Sequence, residues 1–286
     1  MTVSLVPFPR GYIGQENLTE EITQMIQRGT LPRFVILEGS RGSGKRTLAR
    51  ELIAKTLGAT FIECETGVDA VREVVGKSYK AQDTVVYFID DADGMSIAAK
   101  NTLLKVTEEP PNAAYFVVGV VDKENMLDTI KSRAVTFPIA PYSPEQLKDY
   151  WYGAYGQWAD RWDDIKDFVR NFGDLQYFAD EFMSASKGVI GFAQTVLENV
   201  ATVSGVNALK IAGYFNLGDD PTKIDPEFFM HIFKILCYKK MVAENDETMA
   251  KWILITCRTE RMLRDYHMGV LPLLDTWMFD LRSVAR

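Results

Sequence analysis

Residues 34–47, with the sequence FVILEGSRGSGKRT, constrain the fold of this chain more than any other segment. An apolar run of strand length leads into a glycine-rich loop, then into Lys45 and a segment with helical periodicity. Glycines let backbone amides approach phosphate oxygens, the lysine reaches the outer phosphates, and the helix presents its positive amino-terminal end. The segment therefore predicts a nucleotide-binding loop between a buried strand and a helix. The predicted contacts to ATP or ADP are Gly39, Gly42, Ser43, Gly44, Lys45, Arg46 and Thr47.

One position of this loop departs from the usual pattern. The residue after Lys45 is normally a serine or threonine whose hydroxyl binds Mg²⁺, and here it is Arg46. Thr47 lies one residue later, and each residue turns a helix by about 100°, so its hydroxyl cannot simply substitute. We therefore expect the loop to bind nucleotide and the chain to hydrolyse it weakly or not at all.

A hydrophobic segment ending in two acidic residues complements the loop. Residues 85–89 are apolar and precede Asp90 and Asp91. Asp90, at the predicted strand end, is the candidate ligand for Mg²⁺. Asp91 stands where a glutamate usually polarises the attacking water, and its side chain is one methylene shorter, which matters because general-base action depends on reach. Together the loop and the acidic pair predict a nucleotide-binding fold of degenerate catalytic character.

Composition limits the remaining possibilities. The chain has 286 residues, of which 47% are hydrophobic and 25% charged, as expected for a globular protein of two or three domains. Its formal net charge of −7 means that any contact with nucleic acid requires a local basic surface. No apolar run suits a membrane span and the beginning of the chain lacks a signal-peptide pattern, so we expect a cytoplasmic protein without membrane contact.

Cysteine and histidine usage argues against a metal centre. Three scattered cysteines form neither a CxxC pair nor an even disulfide set, so we expect no zinc, and two distant histidines are expected to be surface or packing residues. These residues are Cys64, Cys237, Cys257, His231 and His267.

The order of β-like and helical segments predicts the fold class. Up to about residue 140, short β-like segments alternate with helical patterns. The β-like segments are residues 34–37, 60–62, 85–89, 115–121 and 135–137. This alternation predicts an α/β fold in which helices cover both faces of a parallel sheet and ligands bind at the carboxyl ends of the strands.

The second half of the chain reads as helical. Ser143 and Gln146 form a predicted capping box, and Asp225-Pro226 predicts the start of a long apolar helix. We predict a nucleotide-binding domain over residues 1–140, a helical lid over 141–202 and a helical collar over 203–286. Several methionines and aromatic residues of the collar are expected to belong mostly to its core. They are Phe228, Phe229, Met230, Phe233, Met262, Trp277 and Met278.

Three further segments make the pattern specific: GYIGQ at residues 11–15, NTLLKVTEEPP at 101–111 and DTIKSR at 128–133. Together with the glycine loop and the acidic pair, and in this order, they resemble clamp-loader subunits of the AAA+ class, in particular the gamma and delta-prime subunits of bacterial DNA polymerase III. The resemblance covers residues 7–145 well and the helical remainder only in outline. It implies an AAA+ domain followed by a lid and a collar. It also implies a hetero-pentamer with other loader subunits, which opens a sliding clamp and sets it on primed DNA.

The resemblance implies a role for Arg133, the arginine of the SR motif. In the family this arginine enters the ATP site of the neighbouring subunit and neutralises charge on the γ-phosphate. The polar sensor expected after the fourth strand falls among Gly119, Val120 and Val121, and the lid arginine position falls on Gly191. Together with Arg46 and Asp91, these departures imply a delta-prime-like subunit that does not hydrolyse ATP.

Other interpretations stay open. Lys45 and Asp90 are retained, which keeps a gamma-type clamp-loader ATPase as an alternative, with Thr47 or water completing the Mg²⁺ shell. The EEPP and SR segments disfavour a helicase loader or a Holliday-junction motor, and a small-molecule kinase gives no reason for them. Contact with DNA would come from basic residues such as Lys100, Lys105 and Lys131, although ordinary solvated charges are the simpler expectation for these lysines.

Overall fold

The computed structural model describes residues 14–184, 188–202, 215, 224–265 and 270–285. The chain forms two compact units. The first comprises the described residues up to Trp162 together with Val169–Leu175, and the second comprises Asp163–Phe168 and the described residues from Gln176 onwards. The division into three domains at residues 140 and 202 remains a prediction.

A five-stranded parallel sheet forms the centre of the first unit. Its strands are β1 (Phe34–Glu38), β2 (Thr60–Cys64), β3 (Val85–Ile89), β4 (Ala114–Val120) and β5 (Val135–Pro138). They lie in the order β2-β3-β4-β1-β5, and each coincides with a predicted β-like segment to within two residues. The predicted α/β fold is therefore confirmed. Because all the strands are parallel, the loops that follow β1, β3 and β4 meet at one edge of the sheet.

Helices begin and end as follows. They are α1 (Glu16–Gln27), α2 (residues 45–57), α3 (Val68–Ser78), α4 (Ile97–Glu108), α5 (Asp128–Lys131), α6 (Pro144–Ala154), α7 (Trp162–Ile165), α8 (Phe172–Ser184), α9 (Val189–Asn199), α10 (Pro226–Glu244), α11 (Glu247–Asp265) and α12 (Val270–Val284). Helix α2 is continuous, although its central segment Leu48–Ala54 has π-helical hydrogen bonding. Within the described ranges, every helix is too short or too polar to span a bilayer.

Alternate residues of each strand pack on opposite faces of the sheet. Phe34 and Ile36 of β1 belong to a core cluster that includes residues of α3 and α4. Val35 and Leu37 belong to a second cluster with residues of α1 and α2. Burial on both faces explains why β1 is a continuous apolar run, as is usual for a central parallel strand.

The second unit has an aromatic core. The ring of Phe229 lies 6.0 Å from that of Phe233 and 5.8 Å from that of Trp277, between centroids. All the predicted core residues of this region are buried except Met262, which is half-buried. His231 contacts the Phe168 carbonyl at 3.0 Å, which confirms its packing role, whereas His267 lies outside the described residues.

Both predicted helix starts are confirmed. At α6, Ser143 and Gln146 form the reciprocal capping box. At α10, the Asp225 carboxylate accepts a hydrogen bond from the Phe228 amide at 2.7 Å, and Pro226 occupies the first helical position. Such caps satisfy amides that have no partner inside the helix.

The prediction for Lys100 was wrong, both as a DNA contact and as a solvated charge. Lys100 is only 7% exposed, and its ammonium donates to the carbonyl oxygens of Asp93 and Asn125, both at 2.7 Å. It therefore ties the turn after β3 to the turn after β4, and burial lowers its pKa. Lys105 is exposed over the Tyr79 ring, and Lys131 forms ion pairs with two acidic neighbours.

We predict that Lys100→Met lowers the free energy of unfolding by about 1–3 kcal/mol, because two carbonyl groups lose their donor. Methionine keeps most of the apolar stem, so the change isolates the ammonium. The exposed Lys105→Met on the same helix is the control, with an expected change within about 0.5 kcal/mol. Urea unfolding measures both variants, and equal losses would contradict a structural role for Lys100.

Candidate nucleotide-binding site

The phosphate loop joins β1 to α2 and depends on its glycines. Gly42 and Gly44 have φ angles of 78° and 96°, in the left-handed region that side chains disfavour. Alternation of right- and left-handed residues turns successive amides toward a common point and forms an anion-binding concavity. At Gly39 a Cβ atom would lie 2.7 Å from Ser43 Oγ. The shape of the loop therefore depends on glycine at positions 42 and 44, and a side chain at position 39 would displace that of Ser43.

Lys45 lies inside the loop. Its ammonium donates to the carbonyl oxygens of Gly39 at 2.9 Å and Ser40 at 3.1 Å, and the residue is 4% exposed. Burial lowers the pKa of Lys45, and the carboxylates of Asp90, Asp91 and Asp93 oppose this shift. A bound phosphate would have to replace these two carbonyl contacts.

The two predicted acidic residues, Asp90 and Asp91, lie near Lys45 but in different surroundings. Burial raises the pKa of Asp90, and the Lys45 ammonium opposes that shift. Asp91 has a φ of 49°, and its carboxylate pairs with the Arg41 guanidinium at 3.1 Å. The pairing holds the Asp91 carboxylate against a loop residue, which competes with any action on water. Arg41 was not singled out from the sequence, since an arginine inside a glycine loop has no fixed meaning.

Arg46 does not reproduce the missing magnesium ligand. Its guanidinium pairs with the Glu63 carboxylate of β2, and 53% of its side chain is exposed. A guanidinium offers only donors, so it cannot coordinate a cation. With Asp90 as the remaining candidate ligand, the residues present do not fit a complete Mg²⁺ site. Among the described residues, no group of three or more His, Cys, Asp or Glu is arranged for a metal.

Gly119, the candidate sensor position near the end of β4, faces the side chains of Asp90 and Lys45. A Cβ atom on Gly119 would lie 2.5 Å from Asp90 Oδ1 and 3.0 Å from Lys45 Cε. The following amides of Val121 and Asp122 both donate to Asp93 Oδ2 at 3.0 Å. Asp93, which sequence reasoning missed, thus fixes the end of β4 beside the site.

Arg133 lies away from the loop of its own chain. It follows α5 and precedes β5, and β5 pairs with β1 so that Val135 lies beside Val35. Arg133 is therefore at the amino-terminal edge of the sheet, roughly 15–20 Å from the loop at 3.3 Å per strand residue. Its guanidinium donates to the Thr129 carbonyl at 2.9 Å and lies 3.7 Å from the Glu108 carboxylate. The structure does not bring Arg133 together with the other predicted site residues.

Among the described residues of the GYIGQ segment, Gln15 has a side-chain role. It is 5% exposed, and its amide exchanges hydrogen bonds with the backbone of Ala140 at 2.8 and 3.1 Å. This contact joins the start of α1 to the chain after β5. Residues 11–13 lie outside the described residues.

Residues that follow β5 also contact the phosphate loop, and sequence reasoning missed them. Three loop carbonyls accept hydrogen bonds there. The donors are Asn171 Nδ2 to Arg41 at 2.8 Å, the Gly173 amide to Gly42 at 3.1 Å and the Tyr142 hydroxyl to Ser43 at 2.8 Å. The available signal was an asparagine placed directly before a helical run, which is typical of a helix cap. Gly191 belongs to the second unit, and its predicted lid role stays a prediction.

We predict that Gly119→Ala weakens polyphosphate binding by about tenfold while the fold persists. The added methyl group displaces the ends of two flexible side chains, Asp90 and Lys45, rather than backbone. Gly94→Ala is the matched control, because a Cβ atom there meets no atom within 4 Å. Calorimetric titration with ATP and tripolyphosphate measures the effect, and equal affinities in the two variants would contradict it.

The chain resembles proteins of DNA replication. A sequence profile described as DNA polymerase III, delta subunit, matches residues 57–143. The DNA polymerase III subunit gamma of Buchnera aphidicola (subsp. Schizaphis graminum) is 30% identical over 169 residues, which span 48% of this chain and 46% of that protein. The match thus covers slightly less than half of each protein.

Solved structures share the fold. A DNA polymerase III gamma subunit-related protein of Thermotoga maritima superposes with a TM-score of 0.58 at 16% identity, over 94% of this chain and 100% of that one. The RuvB Holliday junction branch migration motor of the same organism gives 0.51 at 19% identity, over 80% and 76% of the two chains. At these identities the likeness concerns the fold. This chain has an AAA+ fold and resembles the clamp-loader subunits gamma and delta-prime of bacterial DNA polymerase III.

Proposed function

We propose that the chain is a delta-prime-like clamp-loader subunit that binds a nucleotide without turning it over and supplies Arg133 to a neighbouring ATP site. The observation that carries this proposal is the side chain of Arg46. It takes the place of the magnesium-binding hydroxyl, and its guanidinium is engaged with Glu63 instead of a phosphate. Without that hydroxyl the chain lacks one of the protein ligands that hold Mg²⁺ during transfer of a γ-phosphate.

Two neighbouring positions support the loss of hydrolysis. Asp91 is paired with Arg41, so the carboxylate that would polarise water is already engaged in an ion pair with a guanidinium. Gly119 offers no polar group where the family carries a sensor, and the space is filled by Asp90 and Lys45. Each change weakens a different part of the reaction, and together they favour a site that retains binding alone.

The position of Arg133 supports a role in another subunit. It lies at the sheet edge opposite its own phosphate loop, and 42% of its side chain is exposed. Its contacts in the described residues are a backbone carbonyl and one carboxylate at 3.7 Å, both simple to exchange for a phosphate oxygen. The partners implied by this reading are other loader subunits in a hetero-pentamer, a sliding clamp and primed DNA. The collar, residues 203–286, would hold the subunits together.

A gamma-type ATPase is the second candidate, and specific observations favour it. The loop has its left-handed glycines, Lys45 lies at the base of the loop, and Asp90 directly follows β3 beside it. In that case Thr47 or water would complete the Mg²⁺ shell. Turnover by the isolated chain separates the two candidates.

We predict that Arg133→Ala lowers ATP turnover by the assembled loader while the chain alone shows no turnover with either residue. At the ATP site that Arg133 serves, the expected loss is about 10³-fold or more. Arg72→Ala is the control, because Arg72 is another exposed arginine of the same unit, paired only within helix α3 among its described contacts. Turnover by the isolated chain that Lys45→Ala abolishes would instead identify a gamma-type motor.

We also predict that Arg46→Thr makes nucleotide affinity depend on Mg²⁺, with about tenfold tighter binding in its presence. The variant restores a hydroxyl ligand and removes an exposed ion pair worth less than about 1 kcal/mol. Turnover should stay low because Asp91 and Gly119 are unchanged. Titration of both proteins with ATP, with Mg²⁺ and with a chelator, measures this. An equal magnesium dependence in the unmodified chain would show that Arg46 does not exclude the cation.

A further inference from the structure

The phosphate loop is held on its outer side by its own chain. The carbonyl groups of three consecutive loop residues, Arg41, Gly42 and Ser43, point to donors that lie after β5. The amide of Ser43 closes the loop from within by donating to the Ser40 carbonyl at 3.1 Å. The loop therefore has a defined shape that its own hydrogen bonds maintain.

Because peptide units are planar and trans, hydrogen bonds to the outward carbonyl groups also determine where the N–H groups of the same units point. In each peptide unit the carbonyl and the next N–H point in opposite directions. Fixing the Arg41 carbonyl outward turns the Gly42 N–H inward, and fixing the Ser43 carbonyl turns the Gly44 N–H inward. The positive φ angles of Gly42 and Gly44 are the conformations that this alternation needs.

Asn171 uses both ends of its amide. Its Nδ2 donates to the loop, and its Oδ1 accepts the Asp174 amide at 3.1 Å, so it also caps helix α8. It is 1% exposed. Asp174 in turn accepts three hydrogen bonds from Arg170, at 2.9, 2.9 and 3.0 Å. A buried amide that is hydrogen-bonded at both ends is positioned before any ligand arrives.

Gly173 and Gly42 touch through their backbones. A Cβ atom on Gly173 would lie 2.6 Å from Gly42 Cα, and one on Gly42 would lie 2.9 Å from Gly173 Cα and 2.4 Å from Asn171 Oδ1. Neither contact could relax by a side-chain rotation alone. The approach that permits the Gly173 amide to reach the Gly42 carbonyl therefore requires glycine on both sides.

Tyr142 completes the arrangement on the other side of the loop. Its ring packs 4.1 Å from that of Phe172, between centroids, and its hydroxyl reaches the Ser43 carbonyl. Burial raises the pKa of Tyr142 to about 12, so the hydroxyl keeps its proton and acts as the donor.

We propose that Asn171, Gly173 and Tyr142 are positioning residues that hold the phosphate loop in its anion-binding shape from the outside, before a polyphosphate binds. The ligand class, a nucleoside di- or triphosphate, rests on the proposed function. The loop shape itself does not rest on it.

The test uses Asn171→Ser in the full chain. Serine still caps a helix and carries no charge, but it cannot reach the Arg41 carbonyl. We expect the amide hydrogens of Ser43 and Gly173 to exchange with solvent about tenfold faster, by NMR and without any ligand, as for the loss of one hydrogen bond. Affinity for tripolyphosphate and for ATP should fall by a similar factor.

Controls separate the loop from the helix cap and from the ligand. Asp225→Ser likewise places a serine at a helix cap, that of α10, and should leave both readouts unchanged. Tyr142→Phe removes only a hydroxyl and should weaken tripolyphosphate binding as Asn171→Ser does. The inference would be overturned if Asn171→Ser left the exchange rate of the Ser43 amide unchanged, or if Asn171→Ser or Tyr142→Phe bound tripolyphosphate more tightly. If the unmodified chain binds neither ligand, retained nucleotide binding fails as a function, and the exchange rates alone decide the loop inference.

Discussion

The parallel pairing of β1 between β4 and β5 determines where the functional groups of this chain lie. Because β4 separates β1 from β3, the end of β4 falls between the phosphate loop and Asp90. The same pairing with β5 sends Arg133 to the opposite edge, since Val135 lies beside Val35 at the start of both strands. Burial of β1 on both faces fixes this register, because a shift by one residue would move its apolar side chains to the wrong cluster.

Charges around the loop are largely compensated within the chain. Lys45 is satisfied by two carbonyl groups and surrounded by acidic residues, Arg41 pairs with Asp91, and Arg46 pairs with Glu63. An entering polyphosphate must therefore compete with existing partners for each cation. The inward-turned amides of Gly42 and Gly44 are not held in ion pairs, so anion binding through them does not depend on these cations.

The sequence was sufficient for the sheet and the loop, and insufficient for contacts that join distant segments. Strand positions follow from apolar runs, and the loop follows from glycines whose conformations only glycine adopts readily. The burial of Lys100 depends on two carbonyl groups from separate turns, and nothing local in NTLLKV distinguishes it from Lys105. Asn171 lies 130 residues from its partner Arg41 in the sequence. No pattern near the glycines could therefore predict the contacts of Asn171 and Gly173.

Retention of the glycines has a physical cause that is independent of hydrolysis. Gly42 faces Asn171 and Gly173 so closely that any Cβ atom would collide with backbone, whether or not a nucleotide is present. Arg46 faces solvent and Glu63, where a side chain of a different size can be accommodated. Packing thus constrains the glycines more strongly than it constrains the magnesium position. Packing therefore permits a side chain other than serine or threonine after the lysine while the loop keeps its shape, so an intact loop is evidence for the fold and for anion binding rather than for turnover.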